Sequence, residues 1–131
     1  MRILLDMLEG AAFVGFIPVR SLEIARAFYC DVLGLELIEL GPVAVVVSSG
    51  GVPLRLTEVP HLRPQPFTVA GWVVDDVAST VASLTSSGVS MKRYEGMLQD
   101  EQAIWTSPGG DRVAWFNDPD GNVLSITARA K

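Results

Sequence analysis

The sequence predicts an α+β fold: two βαβββ modules form one curved mixed sheet around a concave cup, with the helices on the outer face. Three observations predict it. Strand-like and helix-like stretches recur in the same order in both halves of the chain. The two helices begin alike, Val19-Arg20-Ser21-Leu22 against Val74-Asp75-Asp76-Val77. A connector with three prolines, Pro60-His61-Leu62-Arg63-Pro64-Gln65-Pro66, divides the halves. One such module alone would bury a single face of a small sheet. Two side by side can share a core and leave a concave inner face.

The first module covers about residues 11–59. Ala12 to Val19 is a short apolar run that suits a buried strand. Ser21 is a good helix N-cap, and Leu22, Ala25, Phe28, Tyr29, Val32 and Leu33 follow at helical spacing on one face. Gly34 is placed to end that helix. Strands are expected at Leu35 to Leu40, Val43 to Ser48 and Val52 to Val59, separated by the turn dipeptides Gly41-Pro42 and Gly50-Gly51. The linker, residues 60–66, is too proline-rich for a helix or a central strand. The second module covers about residues 67–129. Phe67 to Val74 reads as a strand. Asp76 caps a helix that carries Val77, Val81 and Leu84 and stops at Ser87-Gly88. Strands follow at about Ser90 to Tyr94, Ala103 to Ser107, Arg112 to Phe116 and Asn122 to Ala128, with Gly96 to Glu101 as an extra short strand or a loop.

Composition limits the function classes. A chain of 131 residues suits one domain, and at 49% hydrophobic it has ample material for a core. No apolar run approaches the ~20 residues of a membrane span. Asp6 comes too early in Met1–Asp6 for a secretory signal, so a soluble, unprocessed, cytoplasmic protein is expected. The one cysteine, Cys30, cannot form an internal disulfide, fits a reducing compartment and is expected as a buried structural thiol. Net charge is −5 and the ten basic residues are scattered, which points away from nucleic acid and from anionic membranes. Mean hydropathy is +0.35, so there is apolar surface to hide, and a homodimer is expected.

Two segments carry a family resemblance. Residues 19–35, VRSLEIARAFYCDVLGL, place a strand, a helix start and an aromatic pair before Asp31-Val32-Leu33-Gly34-Leu35. Asp118-Pro119-Asp120-Gly121-Asn122 is a turn leading into the last strand. Together they resemble the vicinal oxygen chelate superfamily of glyoxalases, bleomycin resistance proteins and extradiol dioxygenases, over essentially the whole chain after its first ten residues. The resemblance implies the paired βαβββ fold, a dimer, and a divalent metal in the cup. It places metal ligands on the first strand of each module, typically His, and on the last, typically Glu. Carried over position by position, these sites fall on Val14, Arg55, Val69 and Ser125. Two aliphatic side chains cannot ligate, a guanidinium repels a cation and a hydroxyl is a weak ligand. No metal and no cofactor are therefore expected. His61, the lone histidine, reads as a surface loop residue.

Strand alternation gives the expected lining of the cup. Val14 and Phe16 face inward on the first strand, Arg55 and Thr57 on the fourth, Val69 and Gly71 on the fifth, and Ser125 on the last. Trp105 and Trp115 are further candidates for ligand contact. Their facing, like that of Tyr94, stays open, with core as the favoured alternative. Arg55 needs an anion, which is either a ligand group or a protein carboxylate such as Glu58, unless it reaches solvent. The expected function is metal-free binding of a small organic ligand, anionic or aromatic. The alternatives are a metal-independent lyase or isomerase using Arg55 with Tyr94 or Glu58, a metal-dependent glyoxalase or dioxygenase with atypical ligands, and an interaction module.

Overall fold

The computed structural model describes residues 7–131. Met1–Asp6, read above against a secretory signal, lies outside the described residues. The first apolar run gives β1, Gly15–Val19. Ser21 then caps α1, Leu22–Arg26, its Oγ accepting from the Ile24 N–H at 3.2 Å. From Ala27 to Val32 the helix widens to a π-helix, in which the Leu33 N–H donates to the Phe28 carbonyl at 2.9 Å. Gly34 leaves the helix at φ +78°, a conformation that side chains disfavour. Three strands follow: β2, Glu36–Leu40, β3, Ala44–Ser49, and β4, Val52–Glu58. The second module runs β5, Thr68–Val73, α2, Val77–Ser86, β6, Trp105–Thr106, β7, Arg112–Asn117, and β8, Val123–Ala128. Asp76 caps α2 through Oδ1, which accepts from the Ser79 N–H at 3.2 Å.

The α+β two-module architecture is built as two four-stranded mixed sheets. Their orders are β1-β4-β3-β2 and β5-β8-β7-β6. In each, the first strand of the module runs parallel to the last and the other pairs are antiparallel. Thus β1 and β5 are end strands of their sheets. No described helix is long and apolar enough to cross a membrane.

The expected strand from Ser90 to Tyr94 is corrected to a single bridge, Met91 to Phe116, and the one from Ala103 to Ser107 shrinks to β6. Both pieces flank β7. The Lys92 N–H donates to the Trp115 carbonyl at 2.7 Å, and Trp105 pairs with Val113. One edge strand has been cut in two, with residues 93–104 looping out between its halves. Side chains replace the missing ladder. Gln99 Oε1 accepts from the Tyr94 N–H at 2.8 Å, while its Nε2 donates to the carbonyls of Lys92 and Ala103 at 3.0 and 2.8 Å. Asp100 Oδ1 accepts from the N–H groups of Gln102 and Ile104, each at 2.9 Å. The backbone groups of the excursion are satisfied without a strand.

Ile17, Val19, Val45, Val47 and Leu56 from the first sheet meet Ala114, Phe116, Leu124 and Ile126 from the second in one continuous core with both helices. The two motif segments meet beside it. Tyr29 is fully buried and donates to Asp118 Oδ2 at 2.8 Å. Asn122 Nδ2 donates to the same oxygen and to the Pro18 carbonyl, both at 2.8 Å. Asp118 Oδ1 accepts from the N–H groups of Asp120 and Asn122 at 2.9 Å. Arg20 reaches Asp120 and, at 2.7 Å, the Leu62 carbonyl in the linker. These motif residues therefore fasten one module to the other. Cys30, expected as a buried thiol, is only partly buried, because its neighbour Tyr29 takes the core position.

Burial, followed by the charge of Asp118, pushes the Tyr29 phenol well above its ordinary value. The unfolded chain therefore ionises this phenol first. Its contribution to stability is complete below the unfolded value of ~10 and falls as pH rises beyond it. Tyr29→Phe is expected to lose about 1 kcal/mol at neutral pH, from the missing hydrogen bond. It should also flatten the alkaline loss of stability. Urea midpoints between pH 7 and pH 11 check this, and parallel curves for the two proteins would contradict it.

Candidate ligand-binding cup

Register fixes which side chains share the face opposite the core. In the first sheet Phe16 pairs with Arg55, Arg55 with Val46 and Val46 with Glu39, giving one row across all four strands. Pro18, Thr57 and Ala44 form the next row. In the second sheet Gly71 pairs with Ser125 and Ser125 with Trp115. Val73, Thr127, Val113 and Trp105 form the row beside it. Val14 directly precedes β1, on the face of Phe16. Val69 lies at a bulge in β5, where the register against β8 shifts between Thr68 and Ala70. Phe16, Arg55, Gly71 and Ser125 thus lie on the sheet faces turned away from the core cluster.

Trp105 and Trp115 are not core residues. Their ring centroids lie 6.2 Å apart, and Tyr94 meets Trp115 edge to face at 5.4 Å. All three stand outside the hydrophobic core cluster, on the side of Ser125. The split edge strand explains this, since the excursion returns Tyr94 and Trp105 to either flank of Trp115. Lys92 Nζ lies 5.5 Å from the centre of the Tyr94 ring. Burial pushes the Tyr94 phenol up. Neither Lys92 nor Gln99 was among the expected site residues. Their signal is missing from the sequence because the interrupted strand has no unbroken alternation.

Arg55 is half-buried between Phe16 and Val46 and makes no hydrogen bond or ion pair to the described residues. Glu58 does not pair with it. Three positions along β4, it alternates onto the face of Leu54 and Leu56 and is exposed. Of the alternatives for Arg55, a pair with Glu58 is therefore not formed, and Glu58 does not stand beside it as an acid or base. Thr57 Oγ1 is buried without a partner, so the exposed part of Thr57 is not its hydroxyl. Gly71 has no Cβ because one there would overlap Ser125 Oγ. His61 is exposed in the linker.

A groove of about 510 Å³ runs between the end strands β1 and β5, with Phe13, Phe16, Pro53, Val69 and Val73 on its walls. A larger depression of about 580 Å³ lies on the helix side, between α2 and the excursion. Neither is lined by Arg55 or Trp115; the β1–β5 groove, with Phe16, Val69 and Gly71 on its walls, is the candidate for the cup.

The donor set does not fit a divalent metal. The four positions that the family resemblance assigns to ligands present two valines, a guanidinium and one hydroxyl. Among the described residues no group of three or more His, Cys, Asp or Glu could hold a metal ion.

The profile of the Glyoxalase/Bleomycin resistance protein/Dioxygenase superfamily matches residues 10–126. Among curated proteins, none matches this sequence. Solved structures do. TnmS3, an antibiotic binding protein from Streptomyces sp. CB03234, has a TM-score of 0.72 at 26% identity, covering 95% of this chain and 99% of its own. A lactoylglutathione lyase from Agrobacterium tumefaciens has a TM-score of 0.70 at 19% identity, covering 91% and 93%. A glyoxalase/bleomycin resistance protein/dioxygenase from Alicyclobacillus acidocaldarius has a TM-score of 0.68 at 18% identity, covering 95% and 96%. With its paired βαβββ modules and a profile match over most of its length, the chain belongs to the glyoxalase/bleomycin resistance protein/dioxygenase superfamily.

Proposed function

We propose that the protein binds a small organic ligand in an apolar, metal-free cup, without transforming it, as a cytoplasmic homodimer. The observation that carries this reading is the donor set at Val14, Arg55, Val69 and Ser125, which leaves no place for the usual cation. The likeness to an antibiotic binding protein at 26% identity supports a binding role. A second copy of the chain is the proposed cover for the exposed apolar residues along the two end strands. Phe16 is 61% exposed and Val73 66%, and Phe13 and Phe67 beside them are exposed too. An apolar strip of this kind, running along two unpaired strand edges, is costly to leave in water. The lone Cys30 fits the reducing interior of a cell.

Native mass spectrometry of untagged protein purified gently from its own host tests the proposal. A dimer without metal, carrying an organic adduct recovered unchanged, is expected. One divalent ion per cup would overturn it.

A further inference from the structure

We infer that the ligand is uncharged and carries an acceptor oxygen, such as a ketone carbonyl, to which the Ser49 hydroxyl donates inside the β1–β5 groove. The inference rests on the cup proposed above and names what its walls select. One cavity holds every residue involved. Phe13 and Phe16 wall the groove from the first module, Val69 and Val73 from the second, and Ser49 and Trp72 line it as well. No described residue on its walls ionises. Arg55 is not among them, although it pairs with Phe16 in the sheet. The unpaired backbone groups along the edges of β1 and β5 are neutral too. A charged ligand entering such a groove gives up its hydration and meets no counter-charge, which is costly. A second copy laid over the strip does not change this, because a symmetric partner brings the same apolar edges.

Two polar side chains reach the groove, and they are joined. The Trp72 indole N–H donates to Ser49 Oγ at 2.6 Å, tying the end of β3 in the first sheet to β5 in the second. Trp72 also packs against the core cluster, which holds the pair in place. The indole has one donor, and it is spent on Ser49. Ser49 has accepted that bond, and its own O–H makes no hydrogen bond to any described residue. A hydroxyl that accepts a short bond is polarised into a better donor. The groove therefore offers one side-chain donor and no charge with which to hold an ion. A single oxygen acceptor on an otherwise apolar molecule matches it.

The test is equilibrium dialysis of the full chain against three probes of one shape. They are 2-acetylnaphthalene, 2-isopropenylnaphthalene, which has a CH2 in place of the carbonyl oxygen, and the anion 2-naphthoate. Wild type is expected to bind the carboxylate at least about a hundredfold more weakly than the ketone. Trp72→Phe, which leaves the Ser49 hydroxyl in place, should keep the wild-type ratio of ketone to alkene affinity. Adding Ser49→Ala to that variant should lower the ratio about fivefold, the worth of one neutral hydrogen bond, with alkene affinity unchanged. Alkene affinity and circular dichroism report whether each variant keeps its groove and its fold. The wild-type comparison of ketone with carboxylate needs no variant and decides the charge of the ligand by itself. Carboxylate binding as tight as that of the ketone would overturn the inference and leave the binding cup standing. A ratio that Ser49→Ala does not move would overturn the role given to Ser49, again with the cup intact. Binding of none of the three would overturn the inference together with the reading beneath it.

Discussion

Replacing Asp118 with alanine is expected to cost about 3–5 kcal/mol of folding stability, because it orphans several donors at once. The carboxylate is 4% exposed and accepts from four of them: the Tyr29 hydroxyl, the Asn122 side-chain amide and two backbone N–H groups. Each buried donor left without an acceptor costs about 1–3 kcal/mol, and the deletion opens a site that water can fill only in part. Against a total stability on the order of 5–15 kcal/mol, a loss of this size threatens folding at ordinary temperatures. Asp118→Asn keeps the shape and one acceptor oxygen and should cost less. Urea denaturation followed by circular dichroism measures both. A loss below about 1 kcal/mol for the alanine variant would mean that the contact between Tyr29 and the turn is not what holds the modules together.

Phe16→Glu is expected to split the dimer and leave the single chain folded. Phe16 is mostly exposed in the single chain, so a carboxylate there costs the monomer little. In a dimer that covers β1 and β5 and closes the groove between them into a cup, the same carboxylate would be stripped of water in an apolar seam. An unpaired buried charge costs several kcal/mol, which raises the dimer dissociation constant by more than about a hundredfold. Sedimentation at micromolar concentration should show dimer for the wild type and monomer for the variant, with nearly equal thermal midpoints extrapolated to the monomer. A dimeric variant would place the interface elsewhere, for instance on β2, where Ile38 and Leu40 are also exposed.

These two expectations rest on different kinds of information. The repeat, the turn chemistry and the helix caps were legible in the sequence because they are local. Ser21 and Asp76 cap the helices through bonds spanning three residues, and Gly34 and Gly121 take the positive φ that their turns require. The alternation of β1, β4 and β8, and of β5 beyond its bulge, was legible as well, because alternation holds phase along an unbroken strand. Hence Phe16, Arg55, Gly71 and Ser125 lie on the face that the pattern gives them.

Other features were not legible, each for a physical reason. The π-helix from Ala27 to Val32, in which Cys30 is only partly buried, was not legible, because no local spacing distinguishes that widened turn from an α-helix. Thr57 and Arg55 look equally polar in the sequence, yet packing shuts the Thr57 hydroxyl away and leaves Arg55 half-buried. Glu58 looks like a partner for Arg55 until the pleat turns it to the other face. The aromatic wall depends on residues 91–92 and 105–106 pairing with the same strand across a loop. An interrupted strand loses its phase, so only pairing with β7 could fix the side on which Tyr94 and Trp105 stand, beside Trp115. The sequence by itself determined the family and most of the order of elements. Only the tertiary structure decided which aromatics leave the core and that Arg55 has no partner among the described residues, because both follow from contacts between segments far apart in the chain.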